Sequence, residues 1–198
     1  MLKIGLTGSI GMGKSETAKM FLQLGIPVFD ADNVVRELYA KGGKAVAPIG
    51  AAFPEVVKDD AVDREALTQK LLNDPPAINR LEQIVHPLVR QAEQDFIAKA
   101  EENHAPMVVL DIPLLFETAE LDRIDKTIVV SAPLEVQAER VMVRPGMTEE
   151  KFRAILSRQM PDEEKRAKAD FVVETDKGLD DAFTQVKVII EKLKTEQH

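Results

Sequence analysis

Residues 8–15 read Gly-Ser-Ile-Gly-Met-Gly-Lys-Ser, which fits G-x-x-x-x-G-K-[ST] with Gly8, Gly13, Lys14 and Ser15 in the fixed places. Each residue type has a physical reason to be there. Glycines let successive backbone N–H groups turn inward as a concave anion nest. A helix beginning near Lys14 aims the positive end of its dipole at the same anion. The Lys14 ammonium can reach terminal phosphates, and the Ser15 hydroxyl is a ligand for Mg²⁺. The pattern predicts a P-loop in which Gly8, Gly11, Met12, Gly13, Lys14, Ser15 and Glu16 hold the phosphates of ATP. A plain Gly-rich turn is the alternative. The strand expected before it and the helix expected after it favour the phosphate loop.

Several carboxylates stand where they could serve such a loop. Asp30-Ala31-Asp32 closes a short apolar run, and alternation along a strand would put Asp30 and Asp32 on one side. Ligands of parallel sheets bind at the C-terminal ends of the strands. Asp32 is the candidate general base for a hydroxyl acceptor, with Asp30 in support. The other role open to Asp32 is capping a helix that starts at Asn33. Asp111 ends the run Met107-Val-Val-Leu-Asp, the place of a second Mg²⁺-site element, with a turn or cap as the alternative. The following Ile112-Pro-Leu-Leu-Phe-Glu117 either lines a pocket or is core, and core is expected.

Cations complete the set. Arg140 and Arg144 are four apart and would share a face if helical. Arg140 is the first candidate to neutralise a phosphoryl group in transfer, an effect worth about 10³–10⁵ in rate. Arg158 and Arg166 are further candidates. His86 precedes Pro87 and should mark a bend. His104 and His198 are isolated, and no His spacing suggests a transition-metal site.

These residues need a scaffold. Five apolar runs read as strands: Lys3–Thr7, Val28–Asp30, Met107–Asp111, Thr127–Val130 and Phe171–Val173. Most lack period-two alternation, as expected for strands covered on both faces. Helical patterns between them give the alternating order of an α/β fold with a parallel sheet. The first helix should run from about Lys14 to Leu24 and stop at Gly25, with Ala18, Phe21 and Leu22 facing inward. The stretch from Ala31 to Pro106 is far longer than a crossover needs. It holds helical patterns at Asp63–Asn73 and Ala77–Ala100, punctuated by Pro75, Pro76 and Pro87, and reads as a helical insertion. Arg140 to Lys168 carries a local charge of +3 in a chain of net −8. That segment is either a solvated helical hairpin or a cationic lid over phosphates.

At 198 residues the chain suits one domain with appended subdomains. Its net charge of −8 argues against nucleic acid as a partner. The absence of cysteine removes disulfides, zinc–thiolate sites and thiol nucleophiles, and fits a reducing cytoplasm. The N-terminus lacks a signal-peptide pattern, and no window approaches the ~18 apolar residues of a membrane span. Glu191–His198 reads as a fraying helix end.

Taken in order, the motifs resemble those of the dephospho-CoA kinase family over nearly the whole chain. They are Gly5-Leu-Thr-Gly-Ser-Ile-Gly-Met-Gly-Lys-Ser15, Val28-Phe-Asp-Ala-Asp32 with Arg36, Ile84-Val-His-Pro87, Asp111–Glu117, Gln137–Arg140 with Arg144, Arg158-Gln159, and Lys165-Arg166 leading to Asp170. The resemblance implies ATP-dependent phosphorylation of the ribose 3′-hydroxyl of dephospho-CoA, the last step of coenzyme A synthesis. It implies a five-stranded parallel sheet of order 2-3-1-4-5 with flanking helices. The core would span 1–30, 104–138 and 169–198, a CoA-binding insertion 31–103, and a lid 139–168. Asp32 becomes the base, and Lys14 and Arg140 stabilise transferred charge. Arg36, His86, Leu115 and Arg144 become acceptor contacts, and Ser15 and Asp111 hold Mg²⁺. The chain departs from the family's usual loop at Ser9, Met12 and Glu16. It reads Val173-Glu-Thr175 where the family usually carries Ile-x-Asn.

The alternative within the same chemistry is another small-molecule P-loop kinase, of the nucleoside, nucleotide or shikimate type. A GTPase-type switch would require Asn-Lys-x-Asp and Asp-x-x-Gly motifs, and neither is present.

Overall fold

Six residues, Leu2–Thr7, form the strand that leads into the phosphate loop, and its last four are buried. In the computed structural model, which describes residues 1–74, 76–118 and 120–196, it is the central strand of the main sheet. Pro75 and His198, named above, lie outside the described residues. In chain order the elements are β1 (Leu2–Thr7), α1 (Lys14–Gln23), β2 (Val28–Asp30), α2 (Ala31–Tyr39), α3 (Val46–Ala52), β3 (Val57–Lys58) and β4 (Ala61–Val62). They continue with α4 (Arg64–Asn73), α5 (Pro76–Glu102), β5 (Met107–Asp111), β6 (Lys126–Ser131), α6 (Leu134–Met142), α7 (Glu149–Leu156), α8 (Asp162–Lys168), β7 (Phe171–Glu174) and α9 (Leu179–Glu196).

All five expected strands form, and they make one sheet of order β2-β5-β1-β6-β7. The pairs β1–β5, β1–β6 and β6–β7 are parallel, with Ile4 opposite Val109 on one side and Lys126 on the other. The strand numbers differ from the expected 2-3-1-4-5 because the short β3–β4 hairpin intervenes in sequence and forms its own sheet. Leaving that hairpin out of the count makes the two orders the same. Each of its strands is two residues long, too short to leave a periodic signal in the sequence. Its turn residues Asp59 and Asp60 have φ of 50° and 61°, the conformation of a type I′ turn but without the usual glycine.

Contacts divide the chain into two compact units, Met1–Phe29 with Ala100–His198, and Asp30–Lys99. In the first, Ile4, Leu6, Val109, Ile128, Val130 and Val173 of the sheet pack with Phe21 of α1 and Val186, Ile190 and Leu193 of α9. Burying each such side chain contributes about 1.5–3 kcal/mol, so the sheet that carries the loop is held firmly. On α1 the inward face is Thr17, Ala18, Met20 and Phe21. Leu22, expected inside, is 55% exposed, because one more step of 100° turns it away from the sheet.

The second unit has its own core, built on Val46, Ile49, Phe53, Val56, Leu67 and Val85. The Asp63 carboxylate starts α4 by accepting from the Ala66 amide at 3.0 Å. Here α5 runs on through Pro87, so the helix does not end at His86. Val85 is buried, and Leu81, Ile84, Leu88 and Val89 pack on both sides of the proline, which outweighs the one lost backbone hydrogen bond. Among the described residues no helix is long and apolar enough to cross a membrane.

Candidate active site

Gly13 occupies the N-cap of α1 with φ 98°, in the left-handed region, and no side chain caps the helix. The first-turn amides of Lys14, Ser15 and Glu16 have no intrahelical partner, so they are free to meet an anion. Gly8 is required for a different reason: a Cβ there would stand 2.8 Å from the Val130 carbonyl oxygen of β6. The loop thus lies directly against the sheet edge. One expected donor is engaged elsewhere, since the Met12 amide donates to Ser9 O at 3.2 Å inside the loop. The Met12 side chain is buried, and its sulfur accepts from the Ala132 amide. Gly11 keeps its place in the loop, and its carbonyl faces Arg140.

Asp111 closes β5 beside the end of β1, where Leu6 pairs with it across the sheet. Its carboxylate forms an ion pair with the Lys14 ammonium, and both side chains are largely buried. The parallel sheet brings together two residues 97 apart in sequence. A hydroxyl at Ser15 and a carboxylate at Asp111 are hard oxygen donors, the kind Mg²⁺ takes alongside substrate phosphates. No group of three or more His, Cys, Asp or Glu side chains among the described residues forms an all-protein metal cage.

The Arg140 guanidinium, on α6, donates to Thr175 Oγ1 at 2.8 Å, to Thr175 O at 2.6 Å and to Gly11 O at 3.4 Å. It is therefore seated at the loop. Arg144 is not on the same helix face, because α6 stops at Met142. Its side chain is exposed and has no ion pair among the described residues. Arg158 is exposed as well, whereas Arg166 donates to Ser131 Oγ and Glu174 Oε1, both at 2.9 Å.

The cationic segment is tied down more than its charge suggests. Gln159 accepts from the Ile10 amide at 3.2 Å, and Gln137 of α6 donates to the Ile10 carbonyl at 2.7 Å. Lys165 of α8 is fully buried, 2.9 Å from Glu117 Oε1, an ion pair whose alignment falls short of a hydrogen bond. Glu117 also accepts from the Met160 amide at 2.8 Å. Burial would raise the Glu117 pKa, but the Lys165 ammonium and the Met160 amide outweigh it, so the carboxyl lies below its usual range. Neither Glu117 nor Lys165 was singled out from sequence for this role. Only their place in Pro-Leu-Leu-Phe-Glu and Lys-Arg offered a signal.

Leu115, expected at the acceptor, is fully buried and packs so close to Gly5 that a Cβ there would be 2.7 Å from its Cδ2. It is core, and the exposed member of the run is Leu114.

In the second unit Asp30, not Asp32, caps α2, accepting from the Asn33 amide at 2.9 Å. The strand ends at Asp30, so the alternation expected to align Asp30 with Asp32 does not extend to Asp32. Asp32 lies in the first turn of α2, exposed, with Arg36 four residues on along the same helical face. His86 is exposed on α5, in a shallow groove lined also by Asn79, Glu82, Gln83, Pro87 and Arg90.

Comparison with known proteins gives this constellation a family. The dephospho-CoA kinase family model matches residues 2–181. A dephospho-CoA kinase of Rhizobium meliloti is 53% identical over 194 residues, 98% of this chain and 99% of its own. One from Agrobacterium fabrum is 54% identical over 193 residues, 98% of each chain. A crystal structure from Thermus thermophilus superposes with a TM-score of 0.81 at 36% identity, covering 97% of both chains. With a phosphate loop, its Lys14–Asp111 pair and full-length matches of this kind, the chain belongs to the dephospho-CoA kinase family.

Proposed function

We infer that this chain transfers the γ-phosphoryl group of ATP to the ribose 3′-hydroxyl of dephospho-CoA, giving coenzyme A and ADP. The observation that carries this is the empty first turn of α1 facing the same strand end as the Lys14–Asp111 pair, in a chain matched by the family over residues 2–181. In this reading the amides of Gly13, Lys14, Ser15 and Glu16 bind the β- and γ-phosphates, and the Lys14 ammonium neutralises charge as the γ-phosphoryl group leaves. Arg140 offers the N–H groups not used by Thr175 and Gly11 to the same charge. Asp32 accepts the proton of the attacking 3′-hydroxyl. Arg36, His86 and Arg144 contact the acceptor. Residues 31–103 serve as the acceptor-binding part and 139–168 as the lid. Ser15 and Asp111 would hold Mg²⁺, and the cation would supply positive charge against the phosphates. The cysteine-free composition suits the reducing cytoplasm in which we place the reaction.

An acceptor panel tests the reading. With Mg-ATP, phosphate transfer is expected to dephospho-CoA and not to AMP, nucleosides or shikimate, and phosphorus NMR should place the new ester on the 3′ oxygen. Turnover confined to shikimate or a nucleoside would replace this assignment with another small-molecule kinase.

A further inference from the structure

Thr175 follows β7 directly and is only 8% exposed. Its polar atoms are all committed. The amide donates to Ser131 O at 3.0 Å, continuing the β6–β7 ladder by one residue. Its hydroxyl donates to Met12 O at 2.7 Å, the shorter of two carbonyl contacts, the other being Ser131 O at 3.4 Å. The same oxygen accepts from Arg140 Nη1 at 2.8 Å, and the carbonyl accepts from Arg140 Nη2 at 2.6 Å. Its methyl carbon would lie 3.3 Å from a Cβ at Gly13. One side chain therefore bonds to the loop at Met12 O, stands where it would crowd any side chain at Gly13, and seats the arginine beside it.

A guanidinium has five N–H donors in a rigid fork. Three are directed at Thr175 Oγ1, Thr175 O and Gly11 O. The Nε–H and one Nη2 hydrogen remain, and the fork's planarity sets where they point. A flexible cation would lose freedom on meeting a phosphate, whereas one already seated loses less. We propose that Thr175 is a positioning residue for phosphoryl transfer, presetting the Arg140 guanidinium and the curvature of the loop at Met12 for the triphosphate. This rests on the proposed role of Arg140. It also gives the departure at Thr175 from the family's usual asparagine a job of its own.

The test is a cycle of full-length variants: Thr175→Val, Thr175→Ser, Arg140→Ala and the double variant Thr175→Val/Arg140→Ala, assayed for kcat and for KM of each substrate. Valine keeps the shape and removes the hydroxyl, while serine keeps the hydroxyl and removes the methyl group. Because hydrogen bonds to charged groups are the strong ones, Thr175→Val is expected to lower kcat by about tenfold, with KM for dephospho-CoA unchanged. Thr175→Ser should stay within about threefold of the parent, a rescue that loss of packing alone would not produce. In the Arg140→Ala background, Thr175→Val should cost less than about twofold more, since coupled residues are non-additive. Parent-like turnover of Thr175→Val with an impaired Arg140→Ala would overturn the role of Thr175 alone. So would an equal loss in both backgrounds, or a serine variant as poor as the valine one. Parent-like turnover of Arg140→Ala would remove the role of Arg140, and this proposal with it.

Discussion

Asp32 and Lys14 are proposed to do different chemistry, and kinetics can separate them. Asp32 is exposed in the first turn of α2 and capping falls to Asp30, so its carboxylate is not needed as the cap of its own helix. Asp32→Asn keeps the shape and removes the basicity. It is expected to lower kcat by about 10²–10⁴-fold, the range for a lost general base, with KM for ATP nearly unchanged. Near-normal turnover in steady-state assays would rule Asp32 out as the base. At this scale the sequence was legible for Gly8, Gly13, Lys14 and Ser15, whose spacing is local. It was silent on Arg140's seat at Thr175, because 35 residues separate the two in sequence and only β7 and α6 bring them together.

The strongest new feature among the elements is the anchoring of α8. Lys165 is fully buried, and among the described residues its ion-pair partner is Glu117, which keeps 16% exposure. Glu117→Gln would take this counter-charge away from the buried ammonium, at a cost of about 3 kcal/mol, the lower end for broken buried pairs. Chemical denaturation at pH 7 should show a loss of that size. The pH dependence follows from the direction of the shift. Glu117 has a folded pKa below its unfolded value, so its contribution is present above the unfolded pKa of about 4.3 and is lost as pH falls through the folded pKa. The gap between parent and variant should narrow from about pH 5 downward. A gap of the same size at pH 7 and pH 3 would contradict the ion-pair account. Strands and helices themselves were readable from composition and periodicity, and every expected strand is present. The element ends differ from the local pattern: β2 stops at Asp30, α6 stops at Met142, and α5 continues past Pro87. Capping, packing and burial decided those ends.

Nucleotide binding should register in the stability of the whole molecule. A ligand that binds only the folded state at 100 times its Kd stabilises by about 2.7 kcal/mol, which shifts Tm by roughly 5–10 °C in a chain of this size. Saturating Mg-ATP is expected to raise the Tm of the parent by that amount, read by differential scanning fluorimetry. Lys14→Ala should lose most of the shift, because in the proposed function the ammonium binds the terminal phosphates. An undiminished shift in Lys14→Ala would mean that ATP binds somewhere other than this loop.

By itself the chain's order of residues determined the loop, the strand set, the α/β alternation and the long helical stretch between β2 and β5. All of these rest on neighbours within a few residues, where propensity, glycine placement and hydrophobic period act directly. Only the tertiary structure paired Lys14 with Asp111, seated Arg140 on Thr175, joined Glu117 to Lys165 and sent Leu115 into the core. Those contacts join distant segments, and which segments meet depends on strand order and close packing, which no local pattern encodes.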